Sequence, residues 1–71
     1  METNLTKLQE ALVRALKYLR IPVEIVLPVM LCLKTEAQQR ELARWLRDNL
    51  ERRPGAEEVV EKTSEILNSG L

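Results

Sequence analysis

The stretch "RIPVEIVLPVMLCLK", residues 20–34, decides the fold. It holds nine large apolar residues, two prolines and one carboxylate, Glu24. From Ile21 to Leu33 the run is too short for a membrane span, which needs roughly 20 apolar residues, and Glu24 interrupts it. A helix at the core of a small protein is the expected form. Pro22 suits the first turn of such a helix, where a missing N–H costs nothing. Pro28 does not suit its interior, because it cannot donate to the carbonyl of Glu24 and its ring crowds that carbonyl, so a kink there is expected rather than a split. On a helical wheel Glu24, Leu27, Pro28 and Leu31 share one face, at i, i+3, i+4 and i+7, while Val26, Val29, Met30 and Leu33 take the other. An unpaired buried carboxylate is costly, so the Glu24 face should meet water, and the carbonyl freed by Pro28 is then on a side where water can satisfy it. Leu27 and Leu31 accompany it, making an apolar patch suited to a partner.

Outward from this stretch the chain reads as helices over about residues 4–20, 22–33, 35–52 and 56–68. The first opens at Thr3 or Asn4, both good N-caps, and carries Leu5, Leu8, Leu12, Ala15, Leu16 and Leu19 at three-four spacing. It stops near Arg20 ahead of Pro22. Thr35 and Gln38 form a capping box for the third, with Glu36 near the positive end of the dipole. Its inward stripe is Leu42, Trp45, Leu46 and Leu50. Outward, the pairs Glu36–Arg40, Arg44–Asp48, Arg47–Glu51 and Asp48–Arg52 lie four apart and would each add about 0.2–0.5 kcal/mol. "RRPG", residues 52–55, is the strong turn signal. The fourth helix carries Val59, Val60, Thr63, Ile66 and Leu67 and stops at Asn68-Ser69-Gly70. The expected architecture is a compact all-α bundle of four helices in a single domain, residues 1–71, with the second helix central and kinked at Pro28. Its core is expected from Leu5, Leu8, Leu12, Leu16, Leu19, Val26, Val29, Met30, Leu33, Leu42, Trp45, Leu46, Val60, Thr63 and Leu67.

Composition agrees with a helical bundle: two Gly, three Pro and no Phe in 71 residues. A single core of this size supplies only ~3–5 kcal/mol, so help from another chain is a natural expectation. Eleven basic and eleven acidic residues cancel, leaving no global field to steer nucleic acid or anionic lipid. Cys32, alone, cannot form an internal disulfide, and the opening Met1-Glu2-Thr3-Asn4 lacks the basic character of a secretory leader. A cytoplasmic protein is expected.

The absence of His removes the commonest general base and metal ligand. Cys32 within an apolar helix reads as a small inert hydrophobe. Glu58, Glu61 and Glu65 share a helix face, but Lys62 intrudes and no loop supplies alternating oxygen ligands, so this reads as a solvated acidic face rather than a metal site. No Gly-rich phosphate loop is present. The expectation is a non-enzymatic protein without cofactor, metal or small-molecule substrate.

The stripe Arg40, Arg44 and Arg47, extended by Arg52 and Arg53, could contact successive phosphates. The segment "ELARWLRDNLERRPGAEEVVEKTSEIL", residues 41–67, resembles the opening helices of a helix-turn-helix domain, which implies a reduced DNA-binding regulator. It departs from that pattern where a recognition helix should follow, since the last helix is acidic. "LKTEAQQRELARWLRDN" and "PGAEEVVEKTSEI", residues 33–49 and 54–66, resemble short hypothetical all-helical proteins of Firmicutes bacteria. That resemblance implies a natural four-helix domain, with no activity or functional residue attached to it. The favoured expectation is a protein–protein interaction module, an adaptor or modulator able to self-associate, docking through Glu24, Leu27, Pro28 and Leu31. Nucleic-acid binding through Arg40, Arg44 and Arg47 is the alternative.

Overall fold

The computed structural model describes residues 6–70. These form four helices and no strand: α1 (Lys7–Tyr18), α2 (Val23–Cys32), α3 (Glu36–Asn49) and α4 (Ala56–Asn68), with a single 3-10 turn over Leu50–Arg52. The caps expected at Thr3 or Asn4 and the core residue Leu5 lie outside the described residues. α1 opens instead on a capping box in which Thr6 Oγ1 accepts from the Gln9 N–H at 3.1 Å and Gln9 Oε1 accepts from the Thr6 N–H at 2.9 Å. Thr35 and Gln38 make the same exchange at the head of α3, as the sequence predicts. At α4 only the returning half exists, because Gly55 has no side chain; Glu58 Oε1 accepts the Gly55 N–H at 3.3 Å.

The end of α1 departs from expectation for a definable reason. Leu19 is the cap, and Arg20 turns left-handed at φ 62°. Its N–H then donates to the Lys17 carbonyl, and the Ile21 N–H donates to that of Leu16. This is the Schellman arrangement, with the apolar residue after the turn folding back onto the last helical turn. Ile21 is buried in consequence, beside Leu16. Arginine occupies a position where glycine is usual, and a Cβ is disfavoured there by roughly 1 kcal/mol or more. Arg20→Gly is therefore expected to stabilise the protein by about 0.5–1 kcal/mol, after the unfolded chain's added freedom is counted. A thermal melt should show a rise of a few degrees, on the order of 4 °C.

α2 runs through Pro28 as one helix rather than two pieces. Glu24, whose carbonyl Pro28 leaves without an intrahelical donor, is exposed, as is Pro28. The helix expected at the centre is, however, one of four staves. α2 packs on α1 and α4, α3 packs on α1 and α4, and the diagonal pairs α2 and α3, α1 and α4 do not approach. Only Leu33–Thr35 separates α2 from α3. Extended backbone at Leu33 and at Thr35 carries the chain across to the diagonal position. Buried Gln39 ties that crossing down, its Nε2 donating to the Leu33 carbonyl at 2.9 Å.

One core joins the helices: Leu12 and Leu16 of α1, Val26 and Val29 of α2, Leu42 and Leu46 of α3, Val59 and Ile66 of α4, with Ile21 and Leu33 from the links. Thr63 is buried as expected and satisfies its hydroxyl on the Val59 carbonyl. Leu8, Leu19, Met30 and Trp45 are half-buried rather than central. Val60 and Leu67, expected inside, are exposed. α4 is rotated so that Ala56, Val59, Thr63 and Ile66 face inward at unbroken three-four-three spacing, whereas the row through Val60 continues into Glu57 and Ser64. The radius of gyration, 11.3 Å, matches the roughly 11 Å expected of a compact chain of this length.

Candidate protein-docking surface

A helix apolar on every side normally lies inside a large protein or a membrane. α2 is apolar all round except for Glu24, yet it forms one wall of a small bundle. Its inner residues Val26 and Val29 fill the core, and its outer residues have nothing to cover them. Val23 is 60% exposed, Leu27 58% and Leu31 74%. All four residues read from the sequence as a docking face, Glu24, Leu27, Pro28 and Leu31, are exposed on the same wall. Neither α1 nor α4 covers them.

Each side of this ridge carries a groove. Toward α1, Val13, Val23, Leu27, Met30 and Leu31 line a hollow of about 520 Å³, with Gln9 and Lys17 at its polar margin. Toward α4, a smaller hollow of about 150 Å³ lies among Ile25, Pro28, Cys32, Val60 and Leu67. Among the described residues, the exposed large apolar side chains other than Tyr18 all belong to α2 or α4. Scattered single exposures are ordinary, but a contiguous apolar wall marks a place where another surface sits.

The sequence reads Cys32 as a small inert hydrophobe within an apolar helix. It lies exposed at the edge of the α4 groove, because the wall of α2 that carries it faces outward. Glu24 forms no ion pair among the described residues.

The arginine stripe of α3 is exposed and partly neutralised. Arg40 pairs with Glu36 at 3.1 Å, and Arg47 lies 3.7 Å from Asp48. The other expected i,i+4 pairs do not close. The helix gives way to the 3-10 turn at Leu50, which shifts Glu51 and Arg52 off the α-helical spacing, and Arg52 turns to Glu58 of α4 at 3.1 Å instead. Such exposed pairs contribute about 0–1 kcal/mol each. Arg53, left-handed at φ 53°, places its guanidinium 5.5 Å from the centre of the Tyr18 ring, joining the end of α1 to the α3–α4 turn. On the acidic face Glu58 is engaged by Arg52 and the Gly55 N–H, and Glu65 by Lys62 at 3.5 Å.

Val60 and Leu67 extend the exposed apolar wall and escaped the sequence reading, which assigned them to the core. Their only signal was the broken row through Glu57 and Ser64. No family model, no curated protein and no solved structure matches this chain.

Proposed function

We propose that this chain is a small non-enzymatic protein–protein interaction module, an adaptor or modulator that docks through the outward face of α2, with Leu27 and Leu31 as anchors between Glu24 and Pro28. One observation carries the reading: a helix with a single charge keeps Leu31 74% exposed while its other side completes the core. Apolar anchors at the middle of a patch with charged neighbours are the usual energetic centre of an interface. No helix among the described residues is long and apolar enough to cross a membrane. An unpaired cysteine at the edge of the patch fits a reducing compartment, which supports a cytoplasmic setting.

Nucleic-acid binding through Arg40, Arg44 and Arg47 has less support, since carboxylates engage two of the three. Capture from native extract separates the readings. Wild type and Arg44→Asp should retain the same partner, and Leu31→Asp should lose it by at least about tenfold while keeping its helical circular dichroism. Equal capture by Leu31→Asp, or loss by Arg44→Asp alone with retention on heparin that vanishes in salt, would contradict the docking assignment.

A further inference from the structure

We propose that Gln38 and Gln39 form a conformational lock that selects the order of the helices around the bundle. Four helices joined by short links ordinarily stand round a ring in chain order, each beside the one before it. Here the ring runs α1, α2, α4, α3, with α2 and α3 on a diagonal. Helix axes about 8–10 Å apart along the sides of such a ring are roughly 11–14 Å apart across it. From Cys32 to Glu36 the link makes four Cα steps (32 to 36), which reach about 13–14 Å only when fully stretched. The crossing therefore leaves the link almost no slack, and any turn within it would bring α3 beside α2.

Two glutamines of α3 hold the stretch. Gln38 Oε1 accepts the Lys34 N–H at 2.9 Å and the Thr35 N–H at 3.2 Å, filling both lone pairs of the amide oxygen. A capping box uses only the second of these bonds. The Leu33 N–H stays on the Val29 carbonyl, so all three N–H groups of the link are engaged. Gln39 closes the clamp from inside, its Nε2 donating to the Leu33 carbonyl. It stands three and seven residues before Leu42 and Leu46, on the inward row of α3, and is buried with them. An apolar side chain there would enlarge the core; the amide instead gives the link carbonyl one fixed partner. A satisfied buried polar group of this kind favours one packing over its competitors. The effect reaches the surface, because α4 rather than α3 then stands beside α2, and Val60 and Leu67 join Ile25, Pro28 and Cys32 around one hollow.

Double electron–electron resonance between nitroxides at Glu24→Cys of α2 and Arg44→Cys of α3, both exposed positions, reads the order in a Cys32→Ala background. Circular dichroism confirms folding. The labelled parent should give one distance, that of the diagonal. Gln38→Glu should keep it, since a carboxylate accepts the same two N–H groups. Gln38→Ala and Gln39→Leu should each add a second population, shorter by on the order of 5 Å, in which α3 stands beside α2. The two substitutions together should make that population the major one. A folded double variant that keeps the single parent distance would overturn the lock, because the link then needs no clamp. So would the short distance in the parent itself. Loss of helical circular dichroism in both single variants would overturn it too, since the glutamines would then hold the fold together rather than choose its order. None of these outcomes depends on what binds α2.

Discussion

Leu42→Ala is expected to leave little folded protein at 25 °C. Leu42 is fully buried on α3, the helix that packs on both α1 and α4. Truncation removes the transfer energy of the lost carbons and leaves a cavity that four short helices close only in part, at a cost of about 2–5 kcal/mol. The whole reserve of such a domain is ~3–5 kcal/mol. A urea series followed by circular dichroism should lose its folded baseline, at a protein concentration held equal to that of wild type because association would add stability by mass action. A loss below about 1 kcal/mol would mean that α3 is not seated as described.

Val29→Asp and Leu31→Asp, two positions apart on α2, should part company completely. Val29 is 4% exposed and Leu31 74%. A carboxylate at position 29 would have to be buried without a partner or protonated, and either outcome exceeds the few kcal/mol available. At position 31 it would stand in water at a change of only about 0.5 kcal/mol in the monomer. The first variant should be unfolded and the second folded, in the same far-ultraviolet spectrum. Unfolding of both would place the outer leucine in the core; survival of both would mean that α2 is not packed at all.

The face of α2 was legible before any coordinates because one carboxylate in an apolar helix sets its rotation. Glu24 must reach water, and Leu27, Pro28 and Leu31 follow at helical spacing. α4 lacked such a marker. With charges on several sides, two apolar rows 100° apart competed, and only the unbroken spacing from Ala56 to Ile66 distinguished the buried one. Thr35 and Gln38 announced α3 plainly. The same pair at Thr6 and Gln9 was masked by Thr3 and Asn4, which cap equally well by residue type. The burial of Ile21 rests on a left-handed turn at an arginine, a conformation that residue identity argues against. The grooves beside α2 were beyond reach of a helical wheel, for they depend on which helices stand next to it. A three-residue link normally joins neighbours, and here the extended backbone of Leu33 and Thr35 sends α3 to the diagonal.

Those grooves also bear on how the fold is held. A bundle that leaves Val23, Leu27, Leu31, Val60 and Leu67 outside forgoes burial worth roughly 1.5–3 kcal/mol for each fully covered side chain. Docking of a partner on this face would recover part of it, which links the small core of the domain to its proposed role.

The most direct measurement follows the leucine methyl resonances of the dilute protein as a soluble paramagnetic chelate is added. Leu27 and Leu31 should broaden at the rate of solvent-exposed methyls, while those of Leu12, Leu16, Leu42 and Leu46 stay sharp. Leu31 methyls as protected as those of Leu42 in the dilute monomer would contradict an outward, uncovered α2 face, and with it the docking surface.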